Sequence, residues 1–275
     1  MISHLIRSIY CIKLVFNMYI LYIILEFQIY GEKKMKIYGL MKTTLLDYPG
    51  KVASTIFLGG CNMRCPFCHN MDLVTDYDHI EPISYNSVIE HLNLRKGVID
   101  GVCITGGEPT LQPDLIKFIC EIKNMGLLVK LDSNGTQPAV LNELLAKKLI
   151  DYIAIDIKSS FNKYPIVCGL NGPDIDPDIV KSLINNVKTT ISFIKNQDYI
   201  PYEFRTTVIR EYHDEEEFNL IGDMLEGSDS YYLQNFVCSD FVPNKGLHGY
   251  TKEELAYFAD KLSRKIKTVG IRGID

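Results

Sequence analysis

From about residue 50 the chain alternates short runs rich in β-branched and aromatic residues with longer runs of helical period, a rhythm that admits few folds. The short runs are VASTIFL (52–58), GVCIT (101–105), LLVKLD (127–132), YIAIDIK (152–158), YEFRTTVI (202–209) and YYLQNFV (231–237), and each reads as a strand. Between them, SYNSVIEHLNLR, PDLIKFICEIKNM, PAVLNELLAKKL, PDIVKSLINNVKTTISFIK and DEEEFNLIGDML carry apolar residues at helical spacing. In the fourth of these, Ile179, Val180, Leu183, Ile184, Val187, Ile191 and Ile194 form one stripe expected to be buried, with Pro177 suited to the first turn. The acidic run Asp214 to Glu217 reads as a helix N-terminus favoured by the macrodipole, with no chemistry assigned to it. A last helix, TKEELAYFADKLSRKI, precedes a short strand around Val269 to Arg272. Strand, helix and parallel strand repeated six times predict an α/β fold, a partial (β/α)6 TIM-type barrel rather than a flat sheet.

In such barrels function collects at the C-terminal ends of the strands. Four unusual stretches fall there: CNMRCPFCHN (61–70) after the first strand, GGEPT (106–110) after the second, SNGT (133–136) after the third, and DIK (156–158) ending the fourth. The first packs Cys61, Cys65 and Cys68 into eight positions and offers no fourth cysteine. A structural zinc site wants four closed ligands, and the adjacent pair Cys68 and His69 would chelate one ion only under strain, so zinc is the weaker reading. A four-iron cluster held by three thiolates instead leaves one iron open to a ligand that is not protein. Cys103, Cys120, Cys168 and Cys238 stand apart and read as small apolar residues rather than ligands.

Composition limits the setting. With 275 residues, 47% of them hydrophobic, one large core can be buried, and a net charge of −5 gives no basic footprint for nucleic acid. Eight cysteines at irregular spacing do not resemble a secreted disulfide framework, which points to the cytoplasm and to metal. Near the N-terminus, LVFNMYILYIIL (14–25) lies between Lys13 and Glu26 and falls short of the roughly 20 residues that span a bilayer. It imitates a signal peptide, but EFQIY follows where small residues would mark a cleavage site. Residues 1–34 are therefore expected to be upstream sequence or a disordered extension, with synthesis starting at Met35 and residues 35–275 forming a single domain. An amphipathic or membrane-touching extension is the alternative.

Cys-x3-Cys-x2-Cys with an aromatic, Phe67, before the third cysteine resembles the signature of the radical S-adenosylmethionine superfamily. The resemblance implies a [4Fe-4S] cluster whose open iron takes the methionyl amino and carboxylate groups of S-adenosylmethionine. It also implies that one-electron reduction of the sulfonium yields a 5′-deoxyadenosyl radical, so the cofactor rather than a side-chain acid or base carries the chemistry. By the same resemblance Gly106, Gly107 and Glu108 receive the methionyl amino group, and a carboxylate does suit an ammonium. Phe67, His69 and Asn70 fall where the family contacts adenine, although His69 equally reads as a surface loop histidine. LDSNGT and DIK resemble stretches of glycyl-radical-enzyme activases that hold the methionyl carboxylate end and, in some members, a monovalent cation; the matched positions are Asp132, Ser133, Asn134, Asp156 and Lys158. Read by themselves, Asp132 to Gly135 form a turn and Asp156 with Lys158 an ordinary ion pair at a barrel rim, while Arg205 faces the same cavity or is structural.

Residues 37–273, from YGLMKTTLLDYPGKV to the terminal IRG, resemble the activating proteins of anaerobic ribonucleoside-triphosphate reductases. The implied reaction removes a hydrogen atom from a glycine Cα of that reductase, with reduced flavodoxin or ferredoxin as electron source and neither nucleic acid nor membrane as partner. Two enzyme alternatives stay open: another glycyl-radical enzyme such as pyruvate formate-lyase as the protein activated, or a small-molecule reaction like that of 7-carboxy-7-deazaguanine synthase. A non-catalytic iron-sulfur or zinc module is disfavoured, because it needs neither a vacant iron nor an amine-binding loop.

Overall fold

The computed structural model describes residues 35–75 and 77–274; the expectation for residues 1–34 lies outside them. Residues 36–275 form one unit around an eight-stranded sheet in sequential order β1 to β8. Seven strands run parallel: β2 Ala53–Leu58, β3 Gly101–Gly106, β4 Leu128–Ser133, β5 Tyr152–Asp156, β6 Tyr202–Val208, β7 Ser230–Asn235 and β8 Thr268–Arg272. They coincide with the six strands and the short terminal strand that the sequence predicts. β1, Ile37–Thr44, was not expected; it pairs antiparallel with β2 through the turn at 45–52. Its run IYGLMKTT has no clean alternation, and its backbone is satisfied by pairing along the edge of β2, with Ile37 O also accepting from Ile83 N at 2.7 Å.

The crossovers are helical, the usual connection between parallel strands. The main ones are α1 Tyr85–Arg95, α2 Leu115–Asn124, α3 Pro138–Ala146, α4 Pro177–Asn196, α5 Glu215–Met224 and α6 Lys252–Leu262. On α4 the buried residues are Val180, Val187, Thr190, Ile191 and Ile194. Of the expected stripe, Leu183 and Ile184 are only half-buried and Ile179, in the first turn about 100° from Val180 around the helix, is 58% exposed. Thr190 joins the stripe instead by donating its hydroxyl to Gly135 O at 2.7 Å. Asp176 and Asp214 cap α4 and α5, each accepting a backbone N–H. The acidic run opens α5 as expected, but Glu217 within it is buried and accepts from the Ser160 backbone N–H and, at 3.0 Å, from its hydroxyl.

The period-2 alternation of the strands divides the sheet into two unlike faces. Ile56, Val102, Ile104, Val129, Leu131, Ile153, Ile155, Phe204 and Leu233 are fully buried and form the apolar core under the helices. The residues between them, Thr55, Cys103, Lys130, Asp132, Asp156, Glu203 and Arg205, share the opposite face. Among the described residues no helix is long and apolar enough to cross a membrane.

Candidate active site

At the C-terminal ends of the strands lies a partly open cleft. Cys61, Cys65 and Cys68 line it with Phe67, His69 and Asn70 from the same loop. Gly106, Gly107 and Glu108 follow from β3, Asp132, Ser133 and Asn134 from β4, and Asp156 and Lys158 from β5. Every site residue expected from the sequence thus faces one cavity. Met63, from within the cysteine loop, and Val74, Thr105 and Thr207, which no motif marks, complete the lining with Arg205.

The cysteine loop leaves β2 through Gly59 and Gly60 and is held by its neighbours. A Cβ on Gly106 would lie 2.3 Å from Leu58 O, and one on Gly107 would lie 2.0 Å from Gly60 O. The glycine pair therefore serves a backbone-to-backbone contact, in which Gly107 N donates to Leu58 O at 2.8 Å and Glu108 N to Gly60 O at 2.7 Å. From β4, Asn134 Nδ2 donates to Asn62 Oδ1 at 2.9 Å, Asn62 Nδ2 to Thr136 Oγ1 at 2.8 Å, and Thr136 Oγ1 to Asn134 Oδ1 at 2.7 Å. This closed ring ties SNGT to the cysteine loop. On the other side His69 Nε2 donates to Val237 O at 2.8 Å, and Asn70 Nδ2 to Gly106 O at 3.2 Å.

The thiols sit in unlike surroundings. Burial, reinforced by the Glu108 carboxylate, pushes the Cys61 thiol up to about 12, and burial also raises Cys68. Cys65 is held below its ordinary value chiefly by a hydrogen bond from Cys168, whose own thiol burial raises. The sequence treats Cys168 as isolated, yet Arg64 N donates to its carbonyl at 2.9 Å, which brings it behind the cysteine loop. Cys168 is fully buried and does not line the cavity.

Glu108 is 1% exposed and densely bonded. Its Oε1 accepts from Thr110 N at 3.1 Å and Ser133 Oγ at 2.8 Å, and its Oε2 from Asn134 N at 2.6 Å. Burial raises its pKa against the pull of these donors. The carboxylate thus joins the β3 and β4 loops, while a cationic ligand in the cavity would restore the charge balance that burial denies it.

Beyond Glu108 runs a chain of alternating charge. Lys130 pairs with Asp132, Asp132 accepts from Arg205 Nη2 at 3.0 Å, Arg205 Nε donates to Asp156, and Asp156 accepts from Lys158 Nζ at 2.9 Å. Burial alone would raise Asp156, but Arg205 and Lys158 outweigh it and hold it well below the usual carboxylate range. Lys158 stays charged despite burial because Asp156 and Cys65 stand beside it, which places a cation next to the thiols.

These residues fit the cofactors that the sequence implies. Among the described residues no three His, Cys, Asp or Glu side chains close on a point as ligands of a single ion would. Three thiols lining one cavity are the sulfur donors that an iron-sulfur cluster takes. A buried carboxylate at one end and a chain with one excess cation at the other match the ammonium and carboxylate of an amino acid.

The Radical SAM superfamily pattern matches residues 55–216. The chain is 36% identical over 210 residues to a "Putative glycyl-radical enzyme activating enzyme" of Methanocaldococcus jannaschii, covering 75% of this chain and 82% of that protein. It is 32% identical over 122 residues to the pyruvate formate-lyase-activating enzyme of Listeria monocytogenes, covering 41% of this chain and 49% of that one. Among solved structures, Streptococcus suis SuiB bound to precursor peptide SuiA superposes with a TM-score of 0.58 at 15% identity, over 78% of this chain and 47% of SuiB, a likeness of fold. With the partial barrel and the three-cysteine cleft in place, these matches make the chain a radical S-adenosylmethionine enzyme, a member of the superfamily that contains the glycyl-radical-enzyme activating enzymes.

Proposed function

We propose that the protein generates a glycyl radical on an anaerobic ribonucleoside-triphosphate reductase, in the cytoplasm, with reduced flavodoxin or ferredoxin as electron donor. The observation that carries the reading is the convergence of the three thiols, the buried Glu108 carboxylate and the Asp156–Lys158 pair on one cleft. Similarity to an activating enzyme over most of both chains favours a protein substrate. The resemblance of residues 37–273 to reductase-activating proteins favours the reductase in particular.

In this reading Cys61, Cys65 and Cys68 hold the [4Fe-4S] cluster, Gly106, Gly107 and Glu108 meet the methionyl amino group, and Lys158 faces the carboxylate. Phe67, His69 and Asn70 border the adenine. Bound together, cluster and S-adenosylmethionine supply one-electron reduction and hydrogen-atom abstraction. The chain's own part is to bind, orient and exclude water. The tight ring of Asn62, Asn134 and Thr136 fixes the cysteine loop before anything binds, the preorganisation such a site needs.

The test is anaerobic. The full chain is reconstituted with iron and sulfide and given S-adenosylmethionine, dithionite and the reductase of the same organism. A glycyl doublet in the EPR spectrum of the reductase, with 5′-deoxyadenosine formed, is expected. Deoxyadenosine without the doublet would refute the reductase as partner; a doublet on a pyruvate formate-lyase instead would identify the second reading, which the Listeria similarity favours. Cys65→Ala should abolish both signals by preventing assembly of the cluster.

A further inference from the structure

Two carboxylates from neighbouring strands, Asp132 and Asp156, face the same cavity, and one side chain pairs with both. Asp156 lies directly opposite Arg205 in the β5–β6 register, and Asp132 lies opposite Ala154 one strand further on. Ala154 and Asp156 share a face of β5, and the methyl of Ala154 leaves the space through which a long side chain on β6 can reach β4. Arg205 uses it. Its Nε serves Asp156 and its Nη2 serves Asp132 at 3.0 Å, two donors along one edge of a planar group. The other carboxylate of β6, Glu203, is engaged elsewhere, accepting two bonds of 2.8 Å from Arg272 and one of 2.8 Å from Tyr152. Lys130 and Lys158 each reach only one of the two aspartates.

We infer that Arg205 is a positioning residue that acts as a built-in counter-cation, holding Asp132 and Asp156 in place so that the cofactor cavity needs no bound metal cation between them. The bridge is 17% exposed at Arg205, so the charge is shielded from solvent yet borders the cavity. A guanidinium keeps its charge at any working pH and cannot dissociate, unlike an ion drawn from solution. Removing it would leave each carboxylate with its one lysine and its other oxygen facing a vacated space, an oxygen-lined gap of the kind that a hard cation fills.

The inference rests on the cavity being the S-adenosylmethionine site, so the test reads ion dependence with and without that ligand. The cluster-loaded protein is melted, and its S-adenosylmethionine affinity measured by calorimetry, in potassium chloride, sodium chloride or choline chloride at equal ionic strength. For the unsubstituted protein both readouts should be the same in all three salts. Arg205→Ala should melt on the order of 10 °C lower in choline chloride and bind about tenfold more weakly. Potassium or sodium should restore a large part of both losses. Arg205→Lys, a point charge that can serve one carboxylate fully, should fall between and respond less to the metal ions. An unsubstituted protein that itself prefers potassium or sodium to choline would overturn the inference without any variant. So would a folded Arg205→Ala whose losses are equal in all salts, because a mere brace has no ion specificity. If S-adenosylmethionine does not bind at all, the proposed function fails, while the melting comparison still decides the role of Arg205.

Discussion

The two faces of the same strands are built on opposite principles. On β6, Phe204 points into the apolar layer under the helices and is fully buried, while its neighbours Glu203 and Arg205 point the other way into paired charge. The outer face gains stability from area removed from water and tolerates exchange among apolar residues of similar volume. The inner face spends desolvation to hold charges in register, which contributes little net stability but fixes where each group sits. The fold is thus held together from outside the barrel and given its chemistry from inside.

Substitutions at adjacent positions of β6 should separate these roles. Phe204→Ala should cost about 3–5 kcal/mol, read as a lower urea midpoint, with unchanged S-adenosylmethionine affinity in the folded protein. A loss of affinity comparable to the loss of stability would break the division between the faces. Glu203→Gln should cost about 2 kcal/mol, less than a fully buried pair, because the freed Arg272 is 35% exposed and can recover water.

The outer face was legible in the sequence because apolar periodicity is a local property. The rim motifs were legible too, since CNMRCPFCHN, GGEPT, SNGT and DIK each stand out by composition and the barrel topology carries them to one end. The inner face was legible only in part: Asp132 and Asp156 were expected at the cavity and Arg205 either there or as a structural residue, but not the charge chain that joins them. In YEFRTTVI, Glu203 and Arg205 alternate with apolar residues as they would on a strand with one solvated side, and only the curvature of the sheet makes that side an interior. For the same reason the bridging role of Arg205 and the contact of Cys168 with the cysteine loop escape sequence reading: each depends on a partner about 50 or more positions away. Glu217 looked like one more acid at a helix start, and no local signal marks its burial. β1 was missed because its pairing with β2, rather than its own pattern, makes it a strand.

Glu108 belongs to the inner face but is bonded as a brace, which sharpens the comparison further. Glu108→Gln retains a side chain of the same shape but turns one acceptor into a donor, against either Asn134 N or the donors at Oε1. The cluster should still assemble, shown by iron content and visible absorbance, and S-adenosylmethionine affinity should fall about tenfold, or about 1.4 kcal/mol. Loss of the cluster with no separable effect on affinity would make Glu108 a brace alone.

The smallest effect is expected at the seam between the faces, where His213 is fully buried and its ring stacks on Phe218 of α5. Its Nδ1 accepts from Ile209 N at 3.0 Å, so its Nε2 carries the proton and donates to Lys158 O at 2.8 Å. One ring thereby links the helical layer to the backbone of a cavity residue. Burial holds its pKa below the ordinary histidine value of 6.5, so the folded protein keeps the ring neutral where the unfolded chain would protonate it. The sign follows: the stabilisation is complete above pH 6.5 and is lost as pH falls below that value towards the depressed folded pKa, at no more than about 1.4 kcal/mol per pH unit for one proton. His91 is shifted in the same direction, so the informative quantity is the difference between the protein and His213→Gln. Urea midpoints measured from neutral pH downward should fall more steeply for the unsubstituted chain than for the variant. Parallel slopes would mean that the ring already accepts a proton in the folded state, and that the link from α5 to Lys158 does not depend on its neutrality.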